Sequence, residues 1–457
     1  MTMQVSVEIL SGLERRLTIN VGSDTFEQKV TERLQKAGAT MRLPGFRPGK
    51  VPLKEVRRRY GKSVRHEVAG EIMQTNFIEA VSKEELSPAS QPSLEMVTMD
   101  PGSDLEFTAT FEVYPQINLG KFSEVSVNSP EAELSDDDLD SMIERLREQR
   151  KTWEDVDRGA EEGDQVTLDF AGYLDDELFN GGEGKDVAFV VGQGQMIEDF
   201  DKAVLGLKAD DKHSFDAHFP EDYRAEELQD KDVEFKVEIK KVAESKVPEV
   251  DETFIKEFGV ENGTLESFRE EVLGNMRNEL DAATKTQVKQ QVLSELDRMH
   301  ELQVPNGLVD QEIKALKQQM MGQMQMGGPQ QQLPELDDEL FREEGERRVR
   351  VGLLINEVIQ TNELKVEEDA VKERIETLAN SYADPEQVKT WYYSNQEQLN
   401  QIHMALLEDS AIDTILSEAS VTPIELSYDQ VISGEGMPKD ESLSDESQSN
   451  EELEDVK

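Results

Sequence analysis

Leu105-Glu106-Phe107-Thr108-Ala109-Thr110-Phe111-Glu112-Val113 alternates strictly between apolar and polar residues and then stops at Tyr114-Pro115. Side chains on an extended chain point to opposite faces in turn, so this period of two marks a strand buried on one face only. Toward the N-terminus the same period returns at Val5, Val7 and Ile9, and again at Leu17, Ile19 and Val21. Between these strands the period changes. Phe26, Val30 and Leu34 recur every four residues behind Asp24 and Glu27, a pair with capping-box spacing. A second helical run carries Val64, Val68, Ile72 and then Phe77 or Ile78. Strands outside and helices inside the sequence order predict an α+β domain over residues 1–115.

The pattern shifts three more times along the chain. Over 116–150, Ser135 precedes Asp136, Asp137 and Asp138, a favourable helix start, and Leu139, Met142, Ile143 and Leu146 form one apolar stripe. This predicts an ordered connector. Over 151–245, Val166, Leu168 and Phe170 alternate, as do Val233, Phe235, Val237 and Ile239, with Gly- and Asp-rich breaks between the runs. A small antiparallel sheet with one short helix is expected there. Over 246–433 the sequence is rich in Glu, Gln, Lys, Leu and Ala between turn signals at Gly263, Val304-Pro305-Asn306-Gly307 and Gly327-Gly328-Pro329. That predicts long helices with thin apolar stripes. From Gly434 to Lys457 few apolar residues remain, and an acidic disordered tail is expected.

Composition limits the chemistry. The chain has 457 residues, 36% hydrophobic and 32% charged, with a formal net charge of −50. So large an anionic excess repels phosphates and argues against general nucleic-acid binding. Without cysteine there is no disulfide, thiolate nucleophile or zinc–thiolate site. His66, His213, His218, His300 and His403 are scattered, with no metal-ligand spacing such as HExxH. The first residues, MTMQVSVEIL, already alternate like a strand and lack a basic-then-apolar leader. No apolar run reaches the roughly 20 residues that span a bilayer. A cytoplasmic protein is expected, with no metal and no cofactor.

One segment inverts the overall charge. From Met41 to His66 stand nine basic residues (Arg42, Arg47, Lys50, Lys54, Arg57, Arg58, Arg59, Lys62, Arg65) against the single acid Glu55, a local charge of +8. Its centre is Pro44-Gly45-Phe46-Arg47-Pro48-Gly49-Lys50-Val51-Pro52. Three prolines and two glycines forbid a helix there and favour a fixed loop. Phe46 is then either an apolar tip between cations, suited to docking on a ribonucleoprotein surface, or a ring tucked into its own domain. Gly45-Phe46-Arg47-x-Gly49-x-x-Pro52 resembles the ribosome-binding signature of the trigger factor family, GFRxGxxP, set as in that family between two helices. The resemblance implies that Gly45, Phe46, Arg47, Gly49, Lys50 and Pro52 contact the large ribosomal subunit beside the tunnel exit, protein and RNA alike. Pro48 stands where a common family variant has lysine.

Residues 151–245 resemble an FKBP-type prolyl isomerase domain. The likeness is carried by Val166-Thr167-Leu168-Asp169-Phe170, by Phe179-Asn180-Gly181-Gly182, by Phe189-Val190-Val191-Gly192-Gln193-Gly194-Gln195-Met196-Ile197 with Phe200, by Phe219-Pro220-Glu221-Asp222-Tyr223 and by Phe235. It implies a pocket lined by Phe170, Ile197, Phe200, Tyr223 and Phe235, with Asp169 near its edge. Taken one at a time, aromatics at strand spacing are ordinary core residues; the ordered set with its glycines points to the pocket. Many relatives carry Pro-Gly where this chain has Glu198-Asp199.

Arg347-Arg348-Val349, Gly352-Leu353-Leu354, Asn362-Glu363-Leu364 and Val304-Pro305 resemble the trigger factor C-terminal domain, which implies a helical chaperone body with two arms for unfolded chains. Met320, Met321, Met324 and Met326 lie in a Met/Gln-rich stretch, Gln318 to Gln332. Methionine adapts to varied apolar partners, so this stretch either touches substrates or is a mobile loop between arm helices. Together the resemblances imply an ATP-independent, ribosome-associated chaperone for nascent and unfolded polypeptides, with prolyl isomerase activity and a homodimer off the ribosome. A free prolyl isomerase and a non-enzymatic acidic scaffold are the competing expectations.

Overall fold

The computed structural model describes residues 3–40, 46, 51–174, 177–220, 223, 225, 228–326, 337–380, 382 and 384–437. The chain opens with β1 (Met3–Ile9) and β2 (Glu14–Val21), followed by α1 (Ser23–Thr40), α2 (Leu53–Lys83), β3 (Ser93–Thr98) and β4 (Leu105–Glu112). The four strands form an antiparallel sheet in the order β1-β2-β4-β3. Leu105, Phe107, Ala109 and Phe111 are buried in alternation, and they meet Phe26, Val30 and Leu34 of α1 and Val64, Val68 and Ile72 of α2. Phe77, not Ile78, faces this core, edge-on to Phe111 at 5.3 Å, while Ile78 is exposed.

Two local expectations for this region are corrected. Helix α1 does not start on an Asp24–Glu27 box. It starts at Ser23, whose N–H donates to Asp104 Oδ1 at 2.7 Å, and Glu27 turns instead to Arg65 and the Gly102 N–H. Arg65 in turn is no surface cation. It is buried, donates to Met99 O at 2.8 Å and Asp100 O at 3.2 Å, and lies 4.6 Å from the Phe26 ring centre. A buried guanidinium needs its donors satisfied, and Glu27 is the carboxylate within reach.

Next come β5 (Ser126–Glu131) and α3 (Asp136–Gln149). Ser135 caps α3 as its sequence suggests: Oγ accepts from the Asp138 N–H at 3.2 Å and the Ser135 N–H donates back to Asp138 at 2.9 Å. The second sheet is built from β6 (Thr152–Asp155), β7 (Gln165–Leu174), β8 (Glu177–Val190), β9 (Lys212–His218) and β10 (Asp232–Lys246), with the short helix α4 (Glu198–Val204) between β8 and β9. The order is β6-β10-β7-β8, with β9 also paired to β10, and every pairing is antiparallel.

Helices dominate the remainder: α5 (Glu252–Glu257), α6 (Leu265–Met299), α7 (Asn306–Met326), α8 (Arg342–Thr361), α9 (Glu368–Ala379), α10 (Pro385–Ser394) and α11 (Gln396–Glu418). The helical pattern is broken by a strand, β11 (Ser420–Glu425), paired with β5, before α12 (Tyr428–Ser433). Val421 and Thr422 are β-branched and Pro423 lacks an N–H, which disfavours helix there. Two compact units result. Met1–Val127 with Lys289–Thr422 form one, whose helical core includes Val292, Leu296, Leu354, Val358 and Ile415. The described residues of 128–288 and 423–437 form the other, in which Phe254, Phe268 and Tyr428 pack with Leu139 and Ile143.

Candidate functional site

The second sheet and α4 bring a set of aromatic rings together. Phe170 stands on β7 opposite Val237 of β10, Phe235 stands opposite Gly172, and Phe200 comes down from α4. Ring centres of Phe200 and Phe235 are 5.2 Å apart, Phe170 and Phe200 6.0 Å, and Phe170 and Phe235 6.2 Å, all near edge-to-face. Each such pair contributes about 0.5–1.5 kcal/mol beyond its burial. Tyr223 joins through Phe219, at 4.4 Å, which itself lies 6.2 Å from Phe235. Ile197 packs against the same core and begins α4, its carbonyl accepting from the Phe200 N–H at 2.9 Å.

Burial divides the five expected pocket residues. Phe200 and Phe235 are sealed, whereas Phe170, Ile197 and Tyr223 are half-buried and so within reach of a ligand. Three aromatics that the sequence reading leaves out of the lining belong to the cluster. Phe215 of β9 lies 5.3 Å from Phe200, Phe179 lies 6.1 Å from Phe235, and Phe219 lies 6.1 Å from Phe179. The available signal for Phe215 was its alternation with His213 and Ala217.

Glycines make the room. A Cβ at Gly172 would fall 2.7 Å from Phe235 Cε1, and one at Gly184 would collide with the Phe170 ring. The β7–β8 register slips between Leu168 and Phe170, where Gly184 faces Phe170. Asp169 anchors this irregularity: Oδ1 accepts from the Asp186 N–H at 2.8 Å, at a residue with φ +51°, and Lys240 Nζ lies 3.2 Å away. The Asp186 hydrogen bond, with Lys240 behind it, holds the Asp169 carboxyl below its ordinary value. Glu198 and Asp199 sit in the first turn of α4. Glu198 pairs with Lys202 at 2.6 Å, and Asp199 accepts from the His218 N–H at 3.2 Å.

A cleft of about 430 Å³ opens beside Phe170, but its walls are charged: Asp169, Glu183 and Glu238 against Lys185, Lys212 and Lys236. Asp169 and Lys236 alternate along their strands with Phe170 and Phe235, so this cleft belongs to the opposite face of the sheet. The aromatic face is the better candidate for apolar chemistry. Among the described residues no cluster of three or more His, Asp or Glu could hold a metal, and no helix is long and apolar enough to cross a membrane.

Of the expected docking residues, Phe46 and Pro52 are described; Gly45, Arg47, Gly49 and Lys50 lie outside the described residues. Phe46 is 37% exposed. Pro52 is the N-cap of α2, at φ −62° and ψ 137°, so the loop ends where the helix begins. Lys54, Arg57, Arg58, Arg59 and Lys62 are exposed on the first turns of α2, which starts well before the Val64 stripe. Met320 and Met321 are half-buried on α7, and Met324 and Met326 close that helix with side chains outside the described residues. The Met/Gln stretch is thus helical as far as Met326.

An α+β domain, an antiparallel sheet domain with an aromatic cluster against one short helix, and a helical body together define a multidomain protein with an FKBP-like domain. Residues 3–146 match the family model for bacterial trigger factor protein, 264–417 its C-terminus, and 156–240 FKBP-type peptidyl-prolyl cis-trans isomerase. The trigger factor of Alcanivorax borkumensis is 45% identical over 431 residues, covering 94% of this chain and 98% of that one. That of Chromohalobacter salexigens is 44% identical over 430 residues, covering 94% and 96%. A solved structure of the trigger factor chaperone aligns at a TM-score of 0.47 and 19% identity, covering 90% of this chain and 99% of that one. The chain belongs to the trigger factor family.

Proposed function

We propose that this protein is an ATP-independent chaperone that docks on the large ribosomal subunit near the tunnel exit, receives nascent polypeptides and isomerises X–Pro bonds. The observation that carries the isomerase part is the convergence of Phe170, Phe200 and Phe235 with half-buried Ile197 and Tyr223 around glycine-made space. Rotation about an X–Pro bond meets a barrier of about 18–20 kcal/mol because twisting the amide destroys its resonance. No bond breaks, so no nucleophile or metal is required. The twisted imide has lost charge separation and is less hydrated than the planar form. An apolar, aromatic surface therefore favours it over the ground state, and that preference is catalysis. In this mechanism Phe170, Ile197 and Tyr223 touch the proline, while Phe200 and Phe235 form the floor that holds them.

Docking is supported by the exposed Phe46 within a cationic segment of an anionic chain. Such an island steers the molecule onto a polyanion at one place. We assign docking to residues 1–115, isomerisation to 151–245 and the polypeptide-binding body to 246–433. Met320, Met321, Met324 and Met326 are substrate contacts in this scheme, and a homodimer forms off the ribosome. The test is co-sedimentation with ribosomes. Phe46→Ala with Arg47→Ala abolishes pelleting while turnover of a short prolyl peptide stays intact. Pelleting that survives the double substitution overturns the docking role, and a wild type without turnover overturns the isomerase.

A further inference from the structure

The aromatic face of the second sheet is held in register from behind. Phe170 faces the aromatic cluster, so Asp169, one residue earlier on β7, faces the other side of the sheet. Leu168 pairs with Val187 and Phe170 with Gly184, so two steps along β7 answer three along β8. Lys185 and Asp186 therefore share the place opposite Asp169, which is a β-bulge. The extra residue of a bulge leaves an N–H without its strand partner. Here the Asp186 N–H, at a residue with φ +51°, donates to Asp169 Oδ1 at 2.8 Å. Lys240 Nζ lies 3.2 Å from Asp169 Oδ2 and 3.5 Å from Glu238, which stands directly opposite Asp169 on β10. The lysine offsets two like charges and leaves Oδ1 to the amide.

What the bulge sets is the neighbour of Phe170. Gly184 lies against the ring, where an added Cβ would collide with it and come within 2.8 Å of Val187 Cγ2. Without the extra residue, Lys185 would stand opposite Phe170, and its Cβ would enter the space that only glycine leaves. The same slip would turn Glu183, now beside Ala171, to the aromatic face. Phe170 would then have to swing away from Phe200 and Phe235, its partners at 6.0 and 6.2 Å.

We propose that Asp169 is a positioning residue of the isomerase pocket: from the back of the sheet its carboxylate pins the β8 bulge at Asp186, which keeps Gly184 against Phe170 and that ring at the pocket. This rests on the isomerase function proposed above. The acting property is a hydrogen-bond acceptor and not a charge, because what it holds is a backbone N–H. Asn at position 169 retains an acceptor of the same reach, whereas Ala and Val have none. When the acceptor is lost, the ring is displaced in part of the molecules, and substrate binds the remaining fraction. A smaller competent fraction raises KM and leaves kcat at saturation nearly unchanged. Loss of folded protein does the reverse, lowering kcat at constant KM.

The test uses the full chain and exchange NMR on a short prolyl peptide. Asp169→Asn, Asp169→Ala, Asp169→Val and Gly184→Ala are compared with the wild type. Val favours a strand, so Asp169→Val guards against simple loss of the fold. Asp169→Ala and Asp169→Val raise KM about three- to tenfold at nearly constant kcat, the equivalent of one ordinary intramolecular hydrogen bond. Asp169→Asn stays within about twofold of the wild type, since its side-chain oxygen still accepts. Gly184→Ala raises KM by itself, and adding Asp169→Ala to it changes little more, because both act on one contact. An unchanged KM in both Asp169→Ala and Asp169→Val refutes the proposal. So does an Asp169→Asn as impaired as they are, or a double variant whose effect is the full sum of the two. Should the wild type show no turnover, the isomerase function fails first. The pin is then judged by the Hα resonance of Gly184, which the ring current of Phe170 shifts. A shift kept in Asp169→Asn and lost in Asp169→Val supports it, and a shift common to all three proteins sinks it.

Discussion

Phe46 and Phe200 are the same side chain in opposite circumstances. Phe46 stands 37% exposed in a cationic segment, and Phe200 is 2% exposed against four other rings. The proposed docking segment is distinctive as a string: nine cations, three prolines and an aromatic behind a glycine need no partner to be noticed. The aromatic face is unremarkable as a string, because a phenylalanine on a strand is normally core. It becomes a candidate site only when strand pairing sets Gly172 opposite Phe235 and Gly184 against Phe170. The proposed docking segment is legible in local composition, while the proposed catalytic face is legible only in packing.

The sharpest way to break this contrast is to truncate both rings. Phe200→Ala removes a buried aromatic that touches Phe170, Phe189, Phe215 and Phe235. It should destabilise its domain by about 3–5 kcal/mol, the usual cost of such a cavity, and remove turnover. Phe46→Ala should stay within about 0.5 kcal/mol, as exposed positions do, yet weaken ribosome attachment. Denaturant titration of both variants, followed by calorimetry, gives the comparison. Equal stability losses would mean that Phe46 is packed after all.

Arg65 sharpens the contrast from within the basic segment. It counts toward the +8 in the sequence, but its donors go to Glu27, Met99 O and Asp100 O. Arg65→Met should cost about 1–3 kcal/mol, because Glu27 keeps its burial and loses its partner. The Arg65 hydrogen bond holds the Glu27 carboxyl below its ordinary 4.5, against the upward push of burial. A depressed folded value means that the pair's contribution is present above 4.5 and is lost as pH falls through that lower value. The thermal midpoint gap between wild type and Glu27→Gln should therefore be open at neutral pH and close as the solution is acidified below 4.5. A gap independent of pH would show that the pair contributes nothing electrostatic.

Much of the fold was legible because periodicity survives without tertiary knowledge. Leu105 to Val113 alternates in the sequence and Leu105 to Phe111 alternates in burial. Ser135 caps its helix because the cap's partner is three residues away. What escaped the sequence depends on distant partners. Glu27 looked like half of a capping box because Arg65 lies 38 residues off. Strand β11 was masked by a helical surrounding until β5 paired with it. The α2 start was set by Pro52 and not by the first apolar residue of the stripe. In the candidate site, Phe170, Phe200 and Phe235 were nameable from the motif. Phe215 was not, since only the β9–β10 register stacks it on Phe235, at 5.8 Å.

The smallest expected effect separates Arg59 and Lys62, which face solvent, from Arg65, which does not. Arg59→Gln and Lys62→Gln, both exposed on α2, should leave the unfolding midpoint within about 0.5 kcal/mol of wild type. Each removes one charge that a polyanionic surface would otherwise neutralise. Counterion release then makes the logarithm of attachment fall less steeply with the logarithm of salt, by roughly 0.7–0.9 per charge lost. Arg65→Gln carries the same formal change but sits behind Glu27, so it should destabilise the domain and leave that slope unaltered. Pelleting across a salt series distinguishes the cases. If Arg65→Gln flattens the slope as much as Lys62→Gln does, the long-range field of the whole segment governs docking and burial is irrelevant to it. If only the exposed pair does, the ribosome is met by those side chains individually, and a charge count taken from sequence overstates the docking surface by every residue that folding turns inward.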